Sequence, residues 1–425
     1  MTKLLRTQAA MLLSLLVLSV MAFGATPRWA WATWSALSLM ILVAWVATVL
    51  LAKESVIVWS PMVLVFIAGL FFVTVQMWAG RSPDPYGTRE AGLKLLTYAA
   101  IYWTTLQVIG ASAVLDVQGF AKIVTIYGAA IALFGICQFI ASPGTVYGTQ
   151  YDGSPFGPYI NHNHFAGLIE LLFPVALASV LNPSYDGARA AMAGFALVLM
   201  ICAVVLAGSR GGAICVAIEA VTLVMVEARG MDSKRWKVRS AAVVCIVLGA
   251  VAGFAILDSG GSARRYKELL KHPAVTVADR GLMARDAVRV WMAHPFVGAG
   301  VGSYSLAVLS TNSVSGERVV DHAHNDYLEL LAEGGLVAGL IAVVGVTLLF
   351  VSMSQHLKQA RATFDGLLKF AVGVGCLGFL LHSVADFNFH IPANAAWFAA
   401  YLAIITAPTR TNSFESTTRG ELVSQ

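Results

Sequence analysis

Twelve long apolar runs account for most of this chain, and they limit the folds open to it. They lie at about 9–26, 30–51, 56–79, 93–114, 120–141, 164–181, 189–208, 212–227, 240–257, 327–352, 367–386 and 394–408. In lipid a backbone must satisfy its own hydrogen bonds, so spanning segments are helices unless a barrel closes. The sequence therefore predicts an all-α polytopic membrane protein with about twelve transmembrane helices.

The composition agrees with this class and excludes others. Only 12% of the residues are charged, against roughly 25% in a soluble domain. The formal net charge of +5 is small and dispersed, so no nucleic-acid partner is expected. All five cysteines fall inside apolar runs, which favours packing over disulfide or zinc binding. The first 25 residues could be a signal peptide, but a first membrane anchor explains them better because further spans follow at once.

Lysine and arginine in the short loops predict the orientation. With the N-terminus inside, fifteen lie on the cytoplasmic side and five on the outer side. Both termini are then cytoplasmic. The one long loop, between spans 9 and 10, lies on the outer side. The chain thus divides into spans 1–9 (1–257), an outer loop (258–325), spans 10–12 (326–408) and a disordered cytoplasmic tail (409–425).

The long loop contains an amphipathic basic helix. Thr276 and Asp279 resemble a capping box, and His294-Pro295 ends the pattern. At 100° per residue, Arg280 falls in the apolar stripe, whereas Arg285 and Arg289 fall on the opposite face. An arginine on an apolar stripe needs an anionic partner, either a buried carboxylate or a ligand.

A second cation lies at the outer join of spans 7 and 8, in the segment GSRGG. Arg210 could be an interfacial anchor whose charged end reaches water. The outer position runs against the positive-inside bias, however, and the flanking glycines would let a ligand approach the backbone. Arg210 is therefore a candidate site residue.

Histidines and amides mark two helix entries on the same side. In the segment 321–326, DHAHND, His324 precedes span 10 and is a candidate base, with Asn325 or Asp326 as the N-cap. His322 and Asn325, with Asn163 and His164 at the start of span 6, are candidates for substrate binding. The two His-x-His pairs make zinc thinkable, but no third ligand has a telling spacing, so no metal is predicted. The turn GAGVG, 298–302, lacks the context of a phosphate-binding loop.

Together these residues resemble the bacterial O-antigen ligase and polysaccharide polymerase superfamily. The most specific match is Arg280, then His294-Pro295, GAGVGSY and HAHNDYLELLAEGG. In the family motif, His-Asn is followed by nine residues and then Gly, and this Gly is followed by two further residues and then Gly, Thr or Tyr. Here His324-Asn325 leads to Gly335, but the last position is Ala338. That departure leaves the choice between ligase and polymerase open.

The resemblance implies an inverting, metal-independent glycosyltransferase of the bacterial inner membrane, without a cofactor. The outer loop 258–325 would then be periplasmic, and the active site would face the periplasm. The donor would be an undecaprenyl-diphosphate-linked glycan, and the acceptor a lipid A core, another glycan or a protein. His324, Arg280 and Arg210 would be catalytic, the arginines through the diphosphate. A transporter that binds the same lipid-linked glycan without chemistry is the alternative from another class.

Overall fold

The structure, a computed structural model, describes residues 2–52, 57–110, 115–151, 154–182, 185–228, 277–311, 313, 320–360 and 363–408. Its first eight helices are α1 (Thr2–Met21), α2 (Arg28–Leu51), α3 (Met62–Trp78), α4 (Pro85–Thr105), α5 (Val117–Ala141), α6 (His162–Leu181), α7 (Gly187–Ala207) and α8 (Arg210–Ala228). The last four long helices are α9 (Val277–Ala293), α10 (Asp326–Ala360), α11 (Phe364–His382) and α12 (Pro392–Thr406), and a four-residue helix, Tyr304–Ala307, lies between α9 and α10. Two short strands, Thr145–Val146 and Thr149–Gln150, pair as an antiparallel hairpin between α5 and α6.

The protein is a mostly helical, polytopic membrane protein, as predicted. Seven of the described helices are long and apolar enough to cross a membrane, and α3 and α12 are shorter apolar helices. Each predicted span within the described residues coincides with a helix. The ninth predicted span, the predicted cap residue Thr276 and the tail lie outside the described residues, so the count of twelve stays a prediction.

Helix α6 lies at the centre of the bundle. It packs against α5, α7, α8 and α11, and 94% of the residues in its most apolar stretch of 18 residues are buried. Apolar side chains fill this core, including Phe165, Leu172 and Phe173. The N-terminus of α6 carries Asn163 and His164, so the core helix fixes the position of one side of the candidate site.

Helix α10 is broken at Gly335. This residue has φ 61° and ψ −161°, a backbone conformation that residues other than glycine rarely adopt. At the break, the N–H groups of Leu336 and Val337 donate to the carbonyl oxygens of Pro295 and Phe296, at 2.9 and 3.0 Å. The segment Asp326–Gly334 therefore belongs to the site, and the part of α10 from Leu336 onward is the membrane span.

The glycine turn 298–302 holds the site segment in place and shows no sign of a phosphate cradle. Gly298, Gly300 and Gly302 have positive φ, and the N–H of Gly300 donates to the Glu333 carbonyl at 2.9 Å. A Cβ on Gly298 would lie 2.1 Å from the carbonyl carbon of Glu333. The sequence interpretation of this segment as a turn is thus confirmed.

Candidate active site

Five chain segments meet at one end of the bundle, here called the site end. They are the start of α6, the join of α7 and α8, the helix α9, residues 320–334 and the turn 383–391 between α11 and α12. These segments lie far apart in sequence, and tertiary packing alone brings their polar groups together.

Arg280 extends from α9 toward the turn after α11. Its Nη1 donates to the carbonyl oxygen of Ala385 at 2.9 Å, and its charge acts on both His162 and His382. Its Nε is buried without a hydrogen-bond partner in the part of the chain that the structure describes. The predicted helical face is confirmed, because Met283, Ala287 and Val290 are buried on the same side.

The two other arginines of α9 differ from one another. Arg285 is exposed, as predicted. Arg289 is half-exposed, but its Nη1 lies 3.2 Å from Oδ1 of the buried Asp286 and donates to Ser313. Arg289 is thus on the solvent-exposed face, as predicted, and is also held there by an ion pair with Asp286.

Arg210 is the first residue of α8 and its side chain is exposed. Gly208 ends α7 in the left-handed conformation, with φ 77°. A Cβ on Gly211 would lie 2.8 Å from the His382 ring, and one on Gly212 would lie 2.6 Å from Cβ of Ala166. These two glycines let the start of α8 pack directly on α6 and α11, so the backbone at Arg210 borders the site.

His324 lies beside a buried carboxylate that the sequence analysis did not single out. Its Nδ1 is 3.7 Å from Oδ1 of Asp386, and the same oxygen is 3.7 Å from Nε2 of His164. Both distances exceed a normal hydrogen bond. Asp386 is fully buried and its backbone oxygen accepts from the N–H of Asp326, which ties it to the start of α10.

The histidines around Asp386 oppose the effect of burial on its carboxyl group. Burial alone would raise its pKa, but the facing imidazoles of His164 and His324, together with His382, hold the pKa well below its ordinary value. His324 itself has φ 50°, an uncommon conformation for a residue other than glycine. Strain of this kind concentrates at functional sites and is consistent with a positioned imidazole.

Phe387 supports three of the histidines. Its ring makes edge contacts with His164 and His324, at centroid distances of 4.7 and 4.8 Å, and stacks on His322 at 4.3 Å. An aromatic wall of this kind limits the rotation of each imidazole. Phe387 thus separates the Asp386 group from a second polar cluster.

This second cluster consists of His322, Glu329, His390 and Asp326. His322 Nδ1 lies 2.8 Å from Oε1 of Glu329, and His390 Nε2 lies 3.2 Å from the same oxygen. His390 Nδ1 contacts Asp326 Oδ1 at 2.9 Å. Burial alone would lower the pKa of His390, but the charges of Glu329 and Asp326 raise it to about 10.

Three members of this cluster, His322, Glu329 and His390, have ligand atoms within 4.8 Å of one another and could hold a metal ion. Zinc would take bonds of about 2.0–2.1 Å to imidazole nitrogen. In the observed contacts, His322 uses Nδ1 toward Glu329, and His390 uses both ring nitrogens toward Glu329 and Asp326. A metal ion bound here would replace the contacts between Glu329 and the two imidazoles.

Buried polar atoms without hydrogen-bond partners gather around the turn 383–391. Within the described residues they include His164 Nε2, His324 Nδ1, Asp386 Oδ2, Asn388 Nδ2 and Arg280 Nε. Buried polar groups are paired in the great majority of folded proteins. A polar molecule that enters this end would find these groups available for hydrogen bonds, which makes the turn a candidate binding site.

The other predicted site residues have mainly local contacts. Asn325 is the N-cap of α10, its Oδ1 accepting from the N–H groups of Tyr327 and Leu328, while its Nδ2 donates to the Val384 carbonyl. Asn163 is buried in the first turn of α6. Substrate binding by Asn163, His164, Asn325 and His322 stays a prediction.

Asp386, Phe387 and His390 were missed as site residues. All three lie in the polar segment HSVADFNFHIPAN, 382–394, which the sequence places on the same side as His324. A carboxylate and two histidines at the end of an apolar span are a usable signal, because ionisable groups at such places are costly without a function or a partner.

A match to a known protein family covers part of the same region. Residues 195–344 match a family model described as O-antigen ligase. No curated protein matches the chain. The matched segment contains Arg210, Arg280 and His324, the three residues predicted to be catalytic. The predicted resemblance to the O-antigen ligase and polysaccharide polymerase superfamily is thereby confirmed over residues 195–344.

Proposed function

We propose that the protein is a membrane glycosyltransferase that moves a glycan from a polyprenyl diphosphate, such as undecaprenyl diphosphate, to an acceptor hydroxyl. The observation that carries this proposal is the joint position of Arg280, His324 and Asp386 at one end of the bundle. A cation suits an anionic leaving group, and an imidazole facing a carboxylate suits a hydroxyl nucleophile.

In this proposal the arginines bind the diphosphate of the donor. As the anomeric carbon–oxygen bond breaks, negative charge grows on the departing diphosphate, so a fixed guanidinium stabilises the transition state more than the ground state. The planar fork of an arginine also matches phosphate oxygens. Arg280 supplies this charge from inside the site, and Arg210 supplies it from the rim at the start of α8.

In this proposal His324 activates the acceptor hydroxyl. The acceptor oxygen attacks the anomeric carbon, its proton passes to the imidazole, and the lipid diphosphate leaves with the bonding electrons. A single displacement of this kind inverts the configuration at that carbon. Asp386 orients the imidazole and stabilises the imidazolium that forms.

Replacing Asp386 by asparagine should test this positioning role. The change keeps the size of the side chain but removes the charge that faces His324. We expect turnover to fall by about 10- to 100-fold, at or below the low end of the roughly 10²–10⁴-fold contribution of acid–base catalysis, because the imidazole itself remains. Donor binding should stay unchanged, because the guanidinium groups are untouched. Equal losses in donor binding and turnover would contradict a role confined to His324.

A test in detergent separates an enzyme from a transporter. Detergent micelles have no two sides, so transport gives no signal there. The purified protein, incubated with a polyprenyl-diphosphate glycan and a defined hydroxyl acceptor, should release polyprenyl diphosphate. Donor that stays intact with every acceptor while still binding the protein would favour a transporter. Lipid A core, glycan and peptide acceptors would separate a ligase from a polymerase.

The proposal also places the site end at the periplasmic face of the inner membrane, supported by the distribution of loop lysines and arginines. Cysteines introduced as Arg285→Cys and Lys358→Cys test this, because both positions are exposed and lie at opposite ends of the bundle. In intact spheroplasts, only the first should react with a membrane-impermeant thiol reagent. The second should react after lysis. A reversed pattern would move the site to the cytoplasm.

A further inference from the structure

We infer that the end of α9 and the turn after it, residues 292–297, are immersed in the bilayer interface. The partner surface is thus the boundary between lipid headgroups and acyl chains. This inference is independent of glycan transfer, because it concerns how the loop helix is held at the membrane.

The first observation is exposed apolar surface outside the membrane-spanning helices. Met292 is 72% exposed, Phe296 is 69% exposed and Val297 is 36% exposed. They follow one another at the end of α9 and in the adjoining turn. Neighbouring apolar side chains of this size seldom stay in water without a partner surface.

The second observation is the depth of these residues relative to the membrane, which follows from the length of the apolar part of α10. The apolar run from Leu336 to Met353 lies between Glu333 on one side and Lys358 on the other. At about 1.5 Å per residue these 18 residues cover about 27 Å, close to the roughly 30 Å of a hydrocarbon core. The break at Gly335 therefore lies at the edge of the hydrocarbon.

The third observation joins the turn to that edge. The carbonyl oxygens of Pro295 and Phe296 accept from the N–H groups of Leu336 and Val337. These are the first residues of the lipid-facing part of α10, and Leu336, Val337 and Leu340 are 42%, 38% and 65% exposed. The apolar turn thus continues the lipid-facing surface of a membrane-spanning helix.

Charge along α9 agrees with an interfacial position. Arg285 is exposed and Arg289 is half-exposed, and Met292 follows them at spacings of seven and three residues, on one side of the helix. Cations beside apolar groups are typical of segments that lie in the headgroup region. In this arrangement the arginines lie nearer the headgroup phosphates and Phe296 lies deeper.

Spin labels test the inference without an activity assay. Phe296→Cys and Met292→Cys, with Arg285→Cys as the matched control, are made in a variant without the native cysteines and labelled in liposomes. Gel filtration confirms that each variant is folded. Power saturation then compares collisions with oxygen, which concentrates in lipid, and with a water-soluble nickel complex.

We expect the labels at positions 296 and 292 to collide preferentially with oxygen, and the label at 285 to collide preferentially with nickel. Labels at 296 and 292 as accessible to nickel as the control would overturn the inference, because the turn would then lie in water. Labels shielded from both reagents would also overturn it, because another part of the protein would cover the turn.

Discussion

Replacing Arg280 by alanine should nearly abolish glycan transfer while the protein still inserts and folds. The side chain donates one hydrogen bond to a backbone oxygen and keeps its Nε without a partner among the described residues, so its fold contribution is small. Removing a fixed donor aimed at developing charge typically costs about 10²–10³-fold in turnover. Loss of donor affinity should add to this, because the same cation holds the ground-state diphosphate.

The matched control is Arg285→Ala, one helical turn further along α9 and exposed. Both variants remove one positive charge from the same helix, so a general electrostatic attraction would affect them alike. We expect Arg285→Ala to retain most of its activity at equal expression. Equal losses in the two variants would contradict the assignment of Arg280 to the site.

Replacing His324 by alanine should slow transfer by about 10²-fold or more, the usual scale for losing a positioned acid–base group. Donor binding should survive, because the diphosphate is bound by Arg280 and Arg210. Donor binding measured with a labelled polyprenyl-diphosphate glycan, beside turnover of the same preparation, separates the two effects. Lost donor binding would move His324 to the diphosphate, and unchanged turnover would remove it from the mechanism.

His322→Ala is the control for this experiment. Its imidazole stacks on the Phe387 ring and contacts Glu329 of the second cluster, whereas His324 faces Asp386. We therefore expect a smaller loss of turnover than in His324→Ala. A larger loss would mean that the acceptor is activated by the cluster of His322, Glu329 and His390.

The membrane helices and the faces of α9 were predictable because they depend on local patterns. Apolar length predicts a span, and a repeat of 100° per residue separates Arg280 from Arg285. His324 was predictable for a similar reason, since it directly precedes the capping residue of an apolar run. Each of these inferences uses residues that are close in sequence.

The contacts between the site residues that are distant in sequence were not predictable in the same way. Asp386 and His390 reach residues 322–329 only after the chain has crossed α10 and α11, and no local pattern reports that return. The break of α10 at Gly335 was also not predictable, because a glycine does not interrupt an apolar run in the sequence. Its cause is the set of hydrogen bonds from Leu336 and Val337 to the distant turn at Pro295–Phe296.

The most direct test of the proposed reaction is the linkage that the purified protein makes from a donor of known anomeric configuration. Nuclear magnetic resonance of the product gives the new configuration, and mass spectrometry counts the lipid released. A single displacement at the anomeric carbon predicts the inverted configuration and one polyprenyl diphosphate for each glycan transferred. A retained configuration, or release of polyprenyl monophosphate, would contradict it.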